Sequence, residues 1–136
     1  MNISQAAKLS GLSSKTIRFY EQQGIIEAAV RANNGYRVYN DKQLEQLRFI
    51  KRARDLGFSL EESKELLELM HNPARRSAEV KARVLAHVDQ IDQQLVQLTK
   101  MRQQLLDLSS QCRGDDGAEC PILDALSGDT TDKPVT

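Results

Sequence analysis

The sequence predicts a mainly α-helical protein, in which a winged helix-turn-helix is followed by a long helix and then by a loop with a short helix. Three observations support this fold class. Leu, Glu, Lys and Gln are abundant, whereas aromatic residues make up only 4% of the 136 residues. Residues 33–35, Asn-Asn-Gly, form a hairpin-turn signal. Residues 77–110 contain neither Gly nor Pro and repeat apolar residues every three or four positions.

The helix-turn-helix is predicted at the start of the chain. Residues 4–23 form two short helical patterns around a break at Gly11, which is the spacing typical of this motif. Ser4 is expected to cap the first helix, and Ser13 or Ser14 the second. The reason is that a hydroxyl oxygen accepts the unpaired amides of a first helical turn.

The second of these helices has a polar face suited to the major groove of DNA. Lys15 and Arg18 are three residues apart and therefore share one face. Tyr20 lies close by, and its hydroxyl is expected to donate to a phosphate, whereas Ile17 and Phe19 are expected in the core. A solvated face on an ordinary helical domain is the alternative interpretation.

A two-stranded wing is predicted around the turn at residues 33–35, because residues 36–39 alternate in the manner of a strand. Its backbone amides and guanidinium groups suit phosphates, which would position the protein and make its affinity depend on salt. The expected DNA contacts in the wing and near the end of the third helix are Arg31, Asn34, Tyr36, Arg37 and Arg54.

Two further helices are predicted before the long one. Asn40 or Asp41 is expected to cap the third helix, which stops at Gly57. Residues 59–62 have the pattern of a capping box and open a fourth helix, which ends near Pro73. The apolar residues expected on the inner face of the third helix are Leu44, Leu47, Ile50 and Ala53.

Residues 77–110 predict one continuous helix of about 50 Å, at a rise of ~1.5 Å per residue. No small domain covers such a helix along its whole length, so its apolar stripe needs a partner. The spacing fits a coiled coil, and a second copy of the chain is the simplest partner. The stripe consists of Val80, Val84, Val88, Ile91, Leu95, Leu98, Met101 and Leu105.

Charge is distributed unevenly along the chain. Residues 1–60 contain ten Lys/Arg and five Asp/Glu, and the remainder contains nine and fourteen, so the two parts carry net charges of +5 and −5. This asymmetry is typical of a nucleic-acid binder with a separate regulatory part. The chain shows no signal-peptide pattern and no stretch of about 18 apolar residues. We therefore expect a cytoplasmic protein with no membrane partner.

Cys112 and Cys120 are the only cysteines. Gly114 and Gly117 between them let the chain turn back, so both sulfurs can meet one small ion. Because Pro121 opens a short helix, the helix dipole is expected to lower the pKa of Cys120. Two thiolates without further ligands favour Cu(I), Ag(I) or Au(I), whereas Zn(II) requires four ligands.

Two other interpretations of the cysteines stay open, a disulfide and a pair of unrelated thiols, although a cytoplasmic location disfavours a disulfide. His71 and His87, the only histidines, lie outside the loop and are expected to be ordinary surface residues. No acid–base pair, nucleophile motif or phosphate-binding loop is recognisable, so no enzymatic activity is expected.

Four segments resemble the signature of the MerR family of transcription regulators. The resemblance covers about residues 1–126 and implies an antiparallel coiled coil that forms a homodimer, with promoter DNA and RNA polymerase as partners. The four segments are residues 16–21 (TIRFYE), 24–26 (GII), 34–39 (NGYRVY) and 56–60 (LGFSL).

The cysteine loop, Cys-x7-Cys followed by Pro-Ile, resembles the copper-responsive CueR branch of that family. In that branch the two loop cysteines are the only metal ligands. Relatives that sense divalent mercury, zinc or lead use a third cysteine at the start of the long helix, where this chain has Ser77. The resemblance also implies that Lys81 of the partner subunit offsets the negative charge of the loaded site.

The resemblance implies an activator that binds a promoter with an overlong spacer. Metal binding would bend and untwist the spacer for RNA polymerase, and so switch on copper efflux and detoxification genes. Two alternatives stay open: a MerR-type regulator of a redox signal or an organic cation, and a copper-buffering metallochaperone. The predicted organisation is a DNA-binding domain at 1–75, a dimerisation helix at 76–111, a metal-binding loop with a short helix at 112–126 and a disordered tail at 127–136.

Overall fold

A computed structural model describes residues 1–128 of the chain. The contacts divide the chain into two compact units, residues 1–84 and the chain from residue 85 onward. The predicted mainly α fold is confirmed, and no helix of the described part is long and apolar enough to cross a lipid bilayer. The elements in chain order are α1 (Ile3–Ser10), α2 (Ser14–Gln22), β1 (Val30–Arg31), β2 (Arg37–Val38), α3 (Asp41–Asp55), α4 (Leu60–Met70), α5 (Ser77–Ser110) and α6 (Pro121–Ser127).

Side-chain caps determine where the first four helices begin. Ser13, Asn40 and Ser59 accept a first-turn N–H of α2, α3 and α4, respectively, as the sequence predicts. The expectation for α1 is wrong, because Asn2 is its cap in a complete capping box and Ser4 is already helical. A helix starts at the first residue that satisfies its free amides, and Asn2 does so two positions before Ser4.

The core of the first unit is formed by apolar side chains from α1 to α4 and from the segments that connect them. All four apolar residues expected on the inner face of α3 are buried. Each helix contributes one face, since residues three and four apart lie on the same side of a helix. The core cluster consists of Ala6, Ile17, Tyr20, Ile25, Ile26, Tyr39, Leu47, Ile50 and Leu67.

Phe19 and Tyr20 occupy the opposite sides of α2 from those expected. Phe19 is 46% exposed, whereas Tyr20 is 6% exposed and belongs to the core. The helical period explains the correction: Tyr20 is three residues from Ile17 and shares its buried face, whereas Phe19 is turned by about 200° from Ile17. The sequence alone contained this signal.

Two buried glutamines of α3 hold the segment between α2 and the wing. Nε2 of Gln43 donates to the carbonyl oxygens of Glu27 and Ala28, each at 3.1 Å. The backbone N–H of Glu27 donates to Oε1 of Gln46 at 3.4 Å. These side chains satisfy backbone groups that no strand or helix pairs, so the wing is tied to α3 at its base.

The wing is a two-stranded antiparallel hairpin, as predicted. Val30 of β1 lies opposite Val38 of β2, and Arg31 lies opposite Arg37. Gly35 has a φ of +84° at the turn, and its N–H donates to the carbonyl of Ala32 at 2.8 Å. Glycine adopts this left-handed conformation without strain, which is why Asn-Asn-Gly predicts the turn correctly.

Helix α5 is continuous over the predicted range, and its apolar stripe is exposed in the single chain. From Val84 to Leu105 the stripe residues are 38–62% exposed. His87 is the buried residue of this helix, at 8% exposure, and its Nδ1 lies 3.4 Å from Oε1 of Gln90. The expectation of a surface residue is therefore wrong for His87, and the contact of its Nδ1 with Gln90 gives the buried imidazole a polar neighbour.

Helix α6 begins at Pro121, as predicted, and ends at Ser127. Gly128 forms its C-cap with a φ of +70°. The expectation of disorder from residue 127 onward is therefore wrong for these two residues, because a glycine in the left-handed conformation closes the helix there. The remainder of that predicted tail, residues 129–136, lies outside the described residues.

Candidate metal centre and DNA-binding surface

The loop between α5 and α6 brings the two cysteines together. Their Sγ atoms lie 3.8 Å apart, and both are free, partly buried thiols. Gly114, with a φ of +67°, provides a left-handed turn that favours glycine. Asp115 then accepts the N–H of Gly117 at 2.9 Å and tightens the turn. Residues eight apart in the sequence thus present two sulfurs to one point.

Cys120 lies at the N-cap position of α6. Its sulfur makes no capping hydrogen bond of standard geometry, but the nearby backbone N–H of Leu123 lowers the pKa of the Cys120 thiol. The thiol of Cys112 and the N–H of Ile122 act in the same direction, against partial desolvation and the carboxylate of Asp124. Amides at a helix start therefore stabilise the thiolate, which is the form that binds metals.

The loop itself is acidic. Between the cysteines, Arg113 is the only basic residue, against Asp115, Asp116 and Glu119. Nε of Arg113 lies 3.8 Å from Oδ2 of Asp115, and both side chains are largely exposed. Two thiolates around a monovalent cation would add a further charge of −1, so the loop provides little positive charge of its own to offset it.

The other residues expected near the metal lie at the start of α5. Ser77 is the first residue of this helix and Lys81 lies one turn later, and both are exposed. They line a shallow depression together with Pro73, Arg75 and Val80. Within residues 1–128, no group of three or more His, Cys, Asp and Glu side chains is arranged to hold a metal ion.

The predicted DNA-contacting residues of α2 divide into two groups. Lys15 and Arg18 are exposed on the outer side of the helix, as a groove-binding role requires. Tyr20 is a core residue, so the expectation that it faces DNA is corrected. The exposed aromatic residue on this helix is Phe19, against the expectation of a core position.

The wing presents three of the predicted residues to the surface. Tyr36 is 72% exposed, and Arg31 and Asn34 are also exposed. Nη1 of Arg31 donates to the carbonyl of Gly35 at 3.3 Å, and Oδ1 of Asn34 accepts the N–H of Tyr36 at 3.1 Å. These local hydrogen bonds stiffen the tip of the wing and leave the remaining Arg31 donors available for phosphates.

The last two residues predicted to contact DNA, Arg37 and Arg54, each bind an oxygen atom of the protein itself. Nη1 of Arg37 lies 3.1 Å from Oε2 of Glu21, and Nη1 of Arg54 donates to the carbonyl of Phe58 at 2.9 Å. A guanidinium has five N–H donors in a fixed plane, so each arginine can keep this partner and still reach a phosphate.

Sequence reasoning missed the buried cluster behind the wing. The carboxylate of Glu21 accepts from the hydroxyl of Tyr39, from the guanidinium of Arg37 and, at 3.3 Å, from the backbone N–H of Ala29. Burial and the Glu21 carboxylate raise the pKa of Tyr39 to about 12. The available signal was the helical period, because Glu21 is four residues from Ile17 and falls on the buried face of α2.

Two family models match the chain. The model described as MerR HTH family regulatory protein covers residues 1–69, and the model described as MerR, DNA binding covers residues 44–108. The chain is 51% identical over 128 residues to the HTH-type transcriptional regulator CueR of Yersinia pestis, and the match covers 94% of this chain and 92% of that protein. It is 50% identical to CueR of Escherichia coli O6:H1, with 94% and 95% covered.

Solved structures resemble the chain over most of its length. The transcription regulator PbrR691 from Ralstonia metallidurans CH34, in complex with lead(II), matches with a TM-score of 0.78 and 32% identity, covering 93% of this chain and 98% of that one. MerR from Bacillus megaterium MB1, in complex with mercury(II), matches with a TM-score of 0.67 and 29% identity, covering 90% and 94%. With its winged helix-turn-helix, its exposed basic helix and these relatives, the chain belongs to the MerR family of DNA-binding transcriptional regulators.

Proposed function

We propose that the chain is a copper-responsive transcriptional activator that binds promoter DNA as a homodimer and takes Cu(I) between Cys112 and Cys120. The observation that carries this proposal is the 3.8 Å separation of two free sulfurs in one loop. The half-identical relatives named CueR support it, because the loop resembles that branch of the family.

The number of ligands, rather than the distance, favours a monovalent ion. Metal–sulfur bonds of about 2.3 Å place two sulfurs about 3.8 Å apart in a tetrahedral site and about 4.6 Å apart in a linear one. The separation of the two sulfurs fits a tetrahedral edge directly and a linear pair after an opening of less than about 1 Å. A tetrahedron needs two further ligands, and residues 1–128 hold no cluster that provides them. Cu(I), Ag(I) and Au(I) accept two soft sulfurs alone.

In the loaded dimer, Ser77 and Lys81 of the partner subunit would lie beside the ion. A dithiolate around Cu(I) carries a charge of −1 in a loop that is already acidic, so an ammonium group nearby stabilises it. Ser77 offers a hydroxyl where a third thiolate would admit divalent ions. Both residues are exposed at the start of α5 and therefore accessible to a second chain.

The stripe along α5 supports the homodimer. Seven of its apolar side chains, from Val84 to Leu105, are 38–62% exposed in the single chain. A second α5 would remove them from water, which is the main driving force for helix association in solution. Two chains then present two α2 helices to two half-sites of promoter DNA.

Activation would follow from a shift between two states of the DNA-bound dimer. Cu(I) binds more tightly to the state that bends and untwists an overlong spacer, and so realigns the promoter for RNA polymerase. Leu66, Leu67 and Met70 of α4, together with α5, would carry this coupling. The targets would be copper efflux and detoxification genes, and the cytoplasm is the proposed place of action, because thiols stay reduced there.

The test is transcription in vitro from the promoter of a copper efflux gene of the same genome, with RNA polymerase and Cu(I), Ag(I), Au(I), Zn(II) or Hg(II). We expect activation by the monovalent ions alone. Cys112→Ser should abolish activation and leave DNA binding within about twofold, because the thiol is remote from α2 in the sequence and needed only for the ion. Ser110→Ala, in the last turn of α5, is the matched control and should behave as wild type.

Three outcomes would contradict the proposal. Activation by Zn(II) or Hg(II) with the same strength would indicate a divalent site. Loss of DNA binding in Cys112→Ser would assign the cysteine a structural role. A loss of both free thiols on peroxide treatment, accompanied by activation without any metal, would indicate a redox regulator with a Cys112–Cys120 disulfide.

A further inference from the structure

One side of α2 consists entirely of exposed side chains, and we call it the reading face. Its members are Lys15, Arg18, Phe19 and Gln22, which are separated by three, one and three positions. This spacing places them on one side of a helix of 3.6 residues per turn. The buried residues of α2, Ile17 and Tyr20, lie on the other side.

Phe19 is the apolar member of the reading face. It is 46% exposed although it is a large aromatic residue. Its ring lies 6.3 Å from the ring of Tyr20, with the planes inclined by 53°. Tyr20 is itself a core residue, so the exposed ring is supported from a rigid base, and α2 presents it in a defined direction.

The neighbours of Phe19 indicate what it meets. Lys15 and Arg18 flank it on the same face, and the unit that contains them is basic, with ten Lys/Arg and five Asp/Glu in residues 1–60. This charge suits DNA and disfavours a hydrophobic protein partner. A phenyl ring cannot hydrogen-bond to phosphates or base edges, and the one apolar group that bases display in the major groove is the 5-methyl of thymine.

We propose that Phe19 contacts the 5-methyl group of a thymine in each half-site and thereby selects thymine at that position. The basic side chains of the reading face bind phosphates and guanine edges, and Phe19 adds a choice of thymine over uracil. These two bases present the same hydrogen-bonding groups and differ only in the methyl group. This inference rests on the DNA-binding function of the family and is independent of the metal.

Thymine-to-deoxyuridine exchange tests the contact, because it removes one methyl group and preserves every hydrogen bond. The DNA is a duplex that the full-length protein selects from a random-sequence pool. Each thymine of one half-site is exchanged for deoxyuridine in turn, together with the equivalent thymine of the other half-site. Fluorescence anisotropy at one salt concentration measures Kd. At one position we expect the exchange to lower the affinity of the wild-type protein about fourfold per half-site, which is the effect of one buried methyl group.

Phe19→Ala should bind the parent duplex more weakly and lose the distinction between thymine and uracil at that position. Phe19→Leu, which keeps an apolar side chain, should retain part of it. Leu9→Ala is the matched control, because Leu9 is 49% exposed on α1, outside the reading face, and should discriminate as wild type does. Circular dichroism confirms that each variant is folded.

Different failures are distinguishable in this experiment. If wild type enriches no duplex from the pool, DNA binding itself fails. If wild type binds tightly but tolerates uracil at every position, the inference about Phe19 is wrong. If Phe19→Ala still discriminates thymine from uracil at that position, another residue contacts the methyl group. The same holds if this variant binds selected and random duplexes equally more weakly with that discrimination unchanged, and Phe19 then contributes to the fold or to binding another partner.

Discussion

Nη1 of Arg37 in the wing lies 3.1 Å from Oε2 of Glu21 in α2. The Glu21 side chain is only 6% exposed, while Arg37 is 32% exposed, so the pair joins a buried carboxylate to a guanidinium at the surface. Because the same carboxylate accepts the Tyr39 hydroxyl, β2 and the residue directly after it are attached to α2 at two points. The wing and α2 are therefore expected to meet DNA as one rigid surface.

Tyr39→Phe should lower the free energy of unfolding by about 1.5–3 kcal/mol, the range for a hydrogen bond to a charged group. The substitution leaves the buried Glu21 carboxylate with one donor fewer. Urea denaturation measures the change. Tyr36→Phe is the control, because Tyr36 is 72% exposed, and its stability should stay within a few tenths of wild type. Equal losses in both variants would show that the Tyr39 hydroxyl has no special role.

The raised pKa of Tyr39, about 12 against an ordinary value of 10.0, predicts a stability change in alkali. The folded chain keeps this proton to higher pH than the unfolded chain does. Unfolding free energy is therefore unaffected by this group below about pH 10 and falls between about pH 10 and 12. Tyrosinate absorbance should show a step near pH 12 that Tyr39→Phe lacks, and an identical titration curve in the two proteins would contradict the assignment.

The ion pair between Arg83 of α5 and Glu65 of α4, at 2.7 Å, is expected to affect coupling more than stability. Both side chains are more than a third exposed, so Glu65→Gln should change unfolding free energy by less than about 1 kcal/mol. Metal-induced transcription should fall by about threefold or more at unchanged DNA affinity, a typical effect for a residue between two coupled sites.

Glu68→Gln is the control for that experiment. Glu68 is an exposed residue of the same helix, and no ion pair of it appears among the described residues. Its transcription should match wild type. A similar decrease in both variants would attribute the effect to the net charge of α4 and not to the Glu65–Arg83 pair.

Leu95→Glu should dissociate the proposed dimer. Leu95 is 56% exposed in the single chain and central in the α5 stripe, and burying an unpaired carboxylate there costs several kcal/mol, which raises the dimer dissociation constant about a hundredfold or more. Sedimentation velocity measures the change. Gln104→Glu adds the same charge about 180° around the helix and should remain dimeric. A dimeric Leu95→Glu protein would place the interface elsewhere.

Local patterns predicted where the helices and the hairpin lie. Ser13, Asn40 and Ser59 begin helices because a side-chain oxygen satisfies an amide three residues away, a contact that depends only on neighbouring residues. Gly35 makes the turn of the wing for an equally local reason. The prediction of Ser4 as the cap of α1 was wrong because Asn2, two residues earlier, accepts a first-turn N–H. This difference, too, depends only on neighbouring residues.

The two sides of α2 were predictable but were assigned wrongly at Phe19 and Tyr20. Counting apolar residues placed Phe19 in the core, whereas the helical period, applied from Ile17, places Tyr20 there. The burial of Glu21 follows from the same period, but its partners do not. Arg37 and Tyr39 lie sixteen and eighteen residues away, and only the packed fold brings them to one carboxylate.

By itself, the sequence determined the order of the elements, their caps, the length of α5 and the presence of two cysteines around a glycine-containing loop. These features depend on backbone conformation and on contacts within a few residues. The 3.8 Å between Cys112 and Cys120, the Glu21 cluster and the outward direction of Phe19 were decided by the tertiary structure. Such positions depend on how separate segments close against each other, and no local pattern of residues contains that distance.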